Sequence, residues 1–174
     1  WAGTLTVQGG TGTTTLATAN LGLTGGALAI GNAGVLTANA STVSVSSLAI
    51  TGGTSGTLTL TTGAWTVSGN WDTSGAGSIF AAGTSTVTMS GAATTVRILN
   101  LSNDFNNLTI TGTVSLASAI GTAGLLTVTG TLDTTASNFG LTVGGGLTVN
   151  GATGILRTNG SAVAETGNVS INNA

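Results

Sequence analysis

Apolar and small polar residues alternate along most of this chain in short runs, each closed by Gly or Asn. Thr, Val, Ile and Leu in period two fit a pleated, half-buried surface, whereas Thr and Gly at this density oppose a helix. No window of a dozen residues holds a helical period free of Gly. The clearest units are Leu108 to Leu116, Leu125 to Leu132 and Leu141 to Val149, whose starting points are almost evenly spaced. Each carries two apolar pairs, as in Leu141/Val143 and Leu147/Val149. Upstream the design recurs at Leu5/Val7, Leu21/Leu23 with Leu28/Ile30, Val43/Val45 with Leu48/Ile50, Leu58/Leu60 with Trp65/Val67, and Val87/Met89.

Strands this short suit two architectures. An antiparallel β-sandwich of pilin type would join longer strands through tight hairpins. A parallel β-solenoid, or β-helix, would stack coils of two or three short strands. The near-constant step and the apolar-polar-apolar strand cores favour an all-β solenoid, one domain over residues 1–174. At roughly 17 residues per coil the chain makes about ten coils, a rod of about 45 to 50 Å. Gly9-Gly10, Gly25-Gly26, Gly52-Gly53 and Gly144 to Gly146 are the expected corners. The absence of Pro suits a continuous ladder.

Composition adds a physical reason for this reading. Only Asp72, Arg97, Asp104, Asp133, Arg157 and Glu165 are charged, while Thr, Ser and Asn number 37, 16 and 14 beside 30 Gly. A charge on a stacked outer face would repeat its repulsion in every coil, whereas Thr can form favourable rows along the rod. With 40% hydrophobic residues the chain is too apolar for disorder, which needs low hydrophobicity and high charge. With six aromatics the core is expected to be aliphatic and narrow.

The same composition removes most chemistry. Lys, His, Cys and Tyr are missing, so acid–base catalysis would fall to Asp72, Asp104, Asp133 and Glu165, spaced to share one column two coils apart. That spacing roughly suits an inverting glycosidase, but no aromatic sugar platform accompanies it. The expectation is no enzyme and no cofactor, with the acids as solvated corner residues or as partners of Arg97 and Arg157. Arg97 and Asp104 are expected to pair across a corner. Zinc has no ligands here, and a single Ca²⁺ on Asp72 or Asp104 with backbone carbonyls is the one metal reading left open. Two cations rule against nucleic acid. No apolar run approaches the roughly 20 residues of a membrane helix, and the strands break too often for a transmembrane barrel.

Residues 69–91, Gly-Asn-Trp-Asp-Thr-Ser-Gly-Ala-Gly-Ser-Ile-Phe-Ala-Ala-Gly-Thr-Ser-Thr-Val-Thr-Met-Ser-Gly, and Phe105-Asn-Asn-Leu-Thr-Ile110 carry a resemblance. They are similar to a module of bacterial adhesin-like repeat proteins that reads G-N-W, then F-x-A-G-T-S-T-V-T-F-x-G, then F-x-N-L-T-I. Met89 stands where that module more often has Phe, and the segment around Arg97 departs from it. The whole chain resembles, in composition, the β-helical passengers and stalks of filamentous haemagglutinins and autotransporters. The resemblance implies an extracellular structural role and brings no catalytic residue with it.

The expected function is therefore a structural subunit or segment of an extracellular or cell-surface filament, stalk or adhesin. Its expected partners are other copies of itself, joined head to tail through coil ends left open at Trp1 to Leu5 and at Asn168 to Ile171, with surface glycans as further candidates. A binding module for glycans or ice is the alternative. Thr4-x-Thr6, Thr57-x-Thr59, Thr84-x-Thr86-x-Thr88 and Thr127-x-Thr129-x-Thr131 suggest an ice-binding Thr array. These units do not, however, recur once per coil at a fixed phase.

Overall fold

The computed structural model describes residues 2–10, 13–16, 20–50, 56–98 and 105–172. Every strand pairing among them is parallel, and the chain winds as a β-solenoid of about seven turns. The antiparallel sandwich is thereby set aside. The cross-section has three faces, because each turn bends at Gly- or Ser-containing corners before it restarts.

The first face holds the leading half of β3 (Leu21–Ile30) and of β5 (Thr42–Ile50), then β7 (Ala64–Val67), β10 (Thr86–Met89), β12 (Asn107–Ile110), β15 (Leu125–Val128), β18 (Gly146–Asn150) and β21 (Asn168–Asn172). The second holds β1 (Thr4–Val7), the trailing halves of β3 and β5, then β8 (Trp71–Thr73), β11 (Thr94–Ile98), β13 (Thr113–Leu116), β16 (Thr131–Asp133) and β19 (Ile155–Arg157). The third holds β2 (Thr14–Thr15), β4 (Val35–Thr37), β6 (Thr57–Thr59) and β9 (Ile79–Ala81), and further along β14 (Ile120–Thr122), β17 (Leu141–Val143) and β20 (Val163–Glu165).

Register on the first face fixes the period. Leu21 pairs with Val43, Val43 with Trp65 and Trp65 with Val87, three equal steps. Val87 then pairs with Leu108, Leu126 with Leu147 and Leu147 with Val169, at the same spacing to within one position. The step from Leu108 to Leu126 is the shortest of the series. The ten coils expected from the shorter repeat are thus corrected to about seven longer ones, a rod of about 35 Å at the stacking distance of parallel strands.

The shorter repeat arises from comparing different faces. Leu108 and Leu125 belong to first-face strands, but Leu141 opens a third-face strand with the same alternating pattern. The shortest turn of the rod also falls in this region, which strengthens the false phase.

Alternation does the packing that it predicts. Leu21, Val43, Trp65, Val87, Leu108, Leu126, Leu147 and Val169 form one inward column; Leu23, Val45, Val67, Met89, Ile110, Val128, Val149 and Ile171 form the next. Most are buried, and the second and third faces add Leu28, Leu48, Val96, Leu132, Leu36, Leu58, Ile120 and Leu141.

The core is not aliphatic throughout. Trp65, Trp71 and Phe80 enter from the three faces of one turn, Phe105 comes from the next, and the four rings meet edge to face. This departs from the aliphatic core expected from six aromatics, because four of the six are gathered in two adjacent turns of the rod.

Trp1, Gly52, Gly53 and Asp104 lie outside the described residues, so the expectations placed on them are not addressed by the structure. No helix among the described residues is long and apolar enough to cross a membrane.

Candidate functional site

Among the described residues the acids do not share a column. Asp72 and Asp133 lie on the second face but three turns apart, and Glu165 lies on the third. Asp104, and with it the expected Arg97–Asp104 pair, lies outside the described residues. Arg97 is instead the register partner of Asp72 in the neighbouring coil. Arg157 is the register partner of Asp133 and approaches it to 3.8 Å, so one acid does pair with an arginine. With side chains 58% and 24% exposed, this pair contributes at most about 1 kcal/mol.

Each of the two aspartates fastens a corner. The carboxylate of Asp72 accepts the Ser74 amide at 2.9 Å and the Ser74 hydroxyl at 2.5 Å. Asp133 accepts the Thr135 amide at 2.8 Å and hydroxyl at 2.7 Å in the same way. Asp-Thr-Ser74 and Asp-Thr-Thr135 are therefore Asx turns, a signal present in the sequence that a search for paired carboxylates passes over. Glu165 accepts the Gly167 amide at 2.7 Å. Among the described residues no three Asp or Glu side chains come together.

The Thr135 hydroxyl, the Thr135 amide and, less strongly, Arg157 hold the Asp133 carboxyl below the ordinary carboxylate range, against a partial burial that pulls it up. A carboxylate whose folded value is depressed contributes its full stability above the unfolded value and loses it as pH falls through the folded one. Melting temperature is thus expected to stay flat from neutral pH down to about pH 5 and to drop only in acid. Asp133→Asn should show a shallower acid drop than the wild type. Melting curves at neutral and acid pH check this, and identical acid limbs for the two proteins would remove Asp133 from the account.

Two surfaces remain once the charges are placed. The first is the end of the rod beyond β18 and β19. Val169 and Ile171 continue the two inward columns yet are 57% and 67% exposed. A hollow of about 350 Å³ opens beside them, lined by Leu147, Val149, Leu156 and Ile171 among others. At the other end Leu5, which continues the second-face column of Leu28 and Leu48, is 36% exposed.

The second surface is the outside of the first face. Between the inward columns stand Ser44, Thr66, Thr88, Thr109, Thr127, Thr148 and Ser170, one per coil and in unbroken register. Two positions further along the chain come Ser46, inside β5, and Ser68, Ser90, Thr111 and Thr129, each one residue past the end of its strand. The Thr-x-Thr units quoted from the sequence do not themselves share a face, Thr4 and Thr6 lying on the second and Thr57 and Thr59 on the third; the aligned row is made largely of other residues. Several hydroxyls of this second row are fixed by the coil before them, Ser90 donating to the Val67 carbonyl, Thr111 to Met89 and Thr129 to Ile110.

The chain matches no protein-family model, and no curated protein and no solved structure matches it, so the likeness to adhesin-like repeats stands on the quoted residues alone.

Proposed function

We propose that this chain is a structural segment of an extracellular or cell-surface filament, stalk or adhesin, extended by stacking further coils on its ends. The observation that carries the reading is the last described coil: Val169 and Ile171 lie in the core columns and yet stand open to solvent. A parallel strand at such an edge also presents one row of backbone amides and carbonyls to whatever stacks next.

A second copy fits this edge in kind. At its other end Leu5 would continue the apolar column of the second face. Head-to-tail contact of unlike ends generates an open filament rather than a closed dimer. Scarcity of charge favours such stacking. Among the described residues near that end, Asp133 and Arg157 are opposite in sign and in register, and Glu165 alone adds an uncompensated charge. The low charge suits a chain working outside the cell, where solubility does not depend on repulsion between crowded neighbours.

Replacing both Val169 and Ile171 with Lys should abolish end-to-end association and leave the melting temperature of the rod within a few degrees of the wild type, because both side chains are already exposed. Electron micrographs and sedimentation of the two proteins test it. Rods many times the length of one chain for the wild type, and single short particles for the double variant, are the expected pair of results. A wild type that sediments as a monomer at every concentration would end the self-stacking reading.

A further inference from the structure

The first face has a regularity that a purely mechanical role does not require. In five successive coils the outward pairs are Ser44-x-Ser46, Thr66-x-Ser68, Thr88-x-Ser90, Thr109-x-Thr111 and Thr127-x-Thr129. The first members make a row of hydroxyls repeating every ~4.8 Å along the rod, the spacing of stacked parallel strands, and the second members flank it at or just past the strand ends.

Three further features bear on what such an array can hold. Among the described residues no charged side chain lies on this face: Asp72, Arg97, Asp133 and Arg157 are on the second and Glu165 is on the third. Among the same residues no hydrogen bond engages the hydroxyls of Thr66, Thr88, Thr109, Thr127 or Thr148, whereas Ser90, Thr111 and Thr129 beside them are tied to backbone. Thr is also stiff at χ1 and here stands between like neighbours in register, so each methyl and hydroxyl is held in place before any ligand arrives.

We propose that the first face is a water-ordering surface that binds ice. The prism planes of hexagonal ice repeat at a closely similar interval in one direction, so hydroxyls fixed at that spacing can occupy or anchor lattice positions while the methyls sit between them. A charge would hold its own hydration shell in a different geometry, and none of the described residues of this face supplies one. Each contact is weak, but many pre-positioned contacts act together and the ordering cost is already met by the fold. A neutral polysaccharide is the competing ligand, and the face lacks what usually grips one, since its aromatic residue, Trp65, is buried beneath the sheet.

The test uses the whole chain and single variants. Thermal hysteresis and inhibition of ice recrystallisation are measured for the wild type, for Thr109→Lys in the middle of the array, and for Thr142→Lys on the outer side of the third face, where the side chain is likewise directed outward. The wild type and Thr142→Lys are expected to be active to the same degree. Thr109→Lys is expected to fall to the buffer baseline with an unchanged melting temperature. Thr109→Val, which keeps the methyl and the shape, guards against misfolding as the cause and should retain measurable activity. No hysteresis in the wild type, equal activity in Thr109→Lys, or retention on insoluble cellulose or chitin that Thr109→Lys abolishes while ice growth is unaffected would each overturn the proposal.

Discussion

Trp71→Ala is expected to lower stability by about 4 kcal/mol, at the high end for a single buried side chain. Trp71 is fully buried at the centre of the ring cluster, with centroids 5.1 Å from Phe80, 5.2 Å from Phe105 and 6.4 Å from Trp65. Removing it forfeits the apolar transfer of the largest side chain and up to three edge-to-face contacts worth about 0.5 to 1.5 kcal/mol each. The cavity would sit where the three faces meet, and the stacked backbones on every side limit how far the walls can close. Trp71→Phe separates the terms. It keeps most of the ring volume and deletes an indole N–H that is buried without a partner among the described residues, so the loss should be roughly 1 to 2 kcal/mol. Chemical denaturation followed by tryptophan fluorescence reads both variants. Since each coil contacts only its neighbours, Trp71→Ala should also split a single transition into two as the halves of the rod uncouple. A loss below that of Trp71→Phe would mean that the cluster is not the keystone of this core.

The strands and their inward faces were legible in the sequence because alternation is a local signal. Leu108-Thr-Ile and Leu141-Thr-Val each place two side chains inward and one outward whichever face they occupy. For that same reason the phase of the repeat was not legible. A first-face strand and a third-face strand present the same alternating pattern, and corner lengths differ enough that the turn from Leu108 to Leu126 is shorter than the one from Leu21 to Val43. The error in period propagates. Thr109 and Thr127 look like scattered strand formers under the shorter repeat, and become register neighbours once the ladder is known. The Asp133–Arg157 pair was within reach, because few charges leave few partners, but its geometry depends on a register that composition does not encode. The gathering of Trp65, Trp71, Phe80 and Phe105 in two adjacent turns of the rod was hidden for the same cause, their sequence separations being meaningful only after the turns are counted.

Gly112→Ala is expected to be severely damaging for so small a substitution. At the corner between the first and second faces, Gly69, Gly91, Gly112 and Gly130 stand one above another in successive coils. A Cβ on Gly112 would fall inside the contact distance of the Gly91 carbonyl oxygen and within 2.7 Å of two backbone carbons. Gly91 and Gly130 meet the carbonyls of Ser68 and Gly112 in the same manner. The obstacle is backbone, and it is committed: the Gly91 carbonyl accepts the Thr113 amide at 2.8 Å, and the Gly112 carbonyl accepts the Thr131 amide at 2.8 Å. Neither can retreat without breaking the bond that carries the ladder around the corner. One methyl group should therefore cost at least about 3 kcal/mol, through overlap and the lost hydrogen bond together. Gly22→Ala is the matched control. Nothing lies within 4 Å of a Cβ at Gly22, on the outer side of the first face, so alanine there should stabilise by roughly 0.5 kcal/mol through the unfolded chain. Urea unfolding of both variants against the wild type decides it. Opposite signs are expected, and a Gly112→Ala protein as stable as the wild type would mean that the corners yield and that the coils are not stacked as closely as their carbonyls indicate.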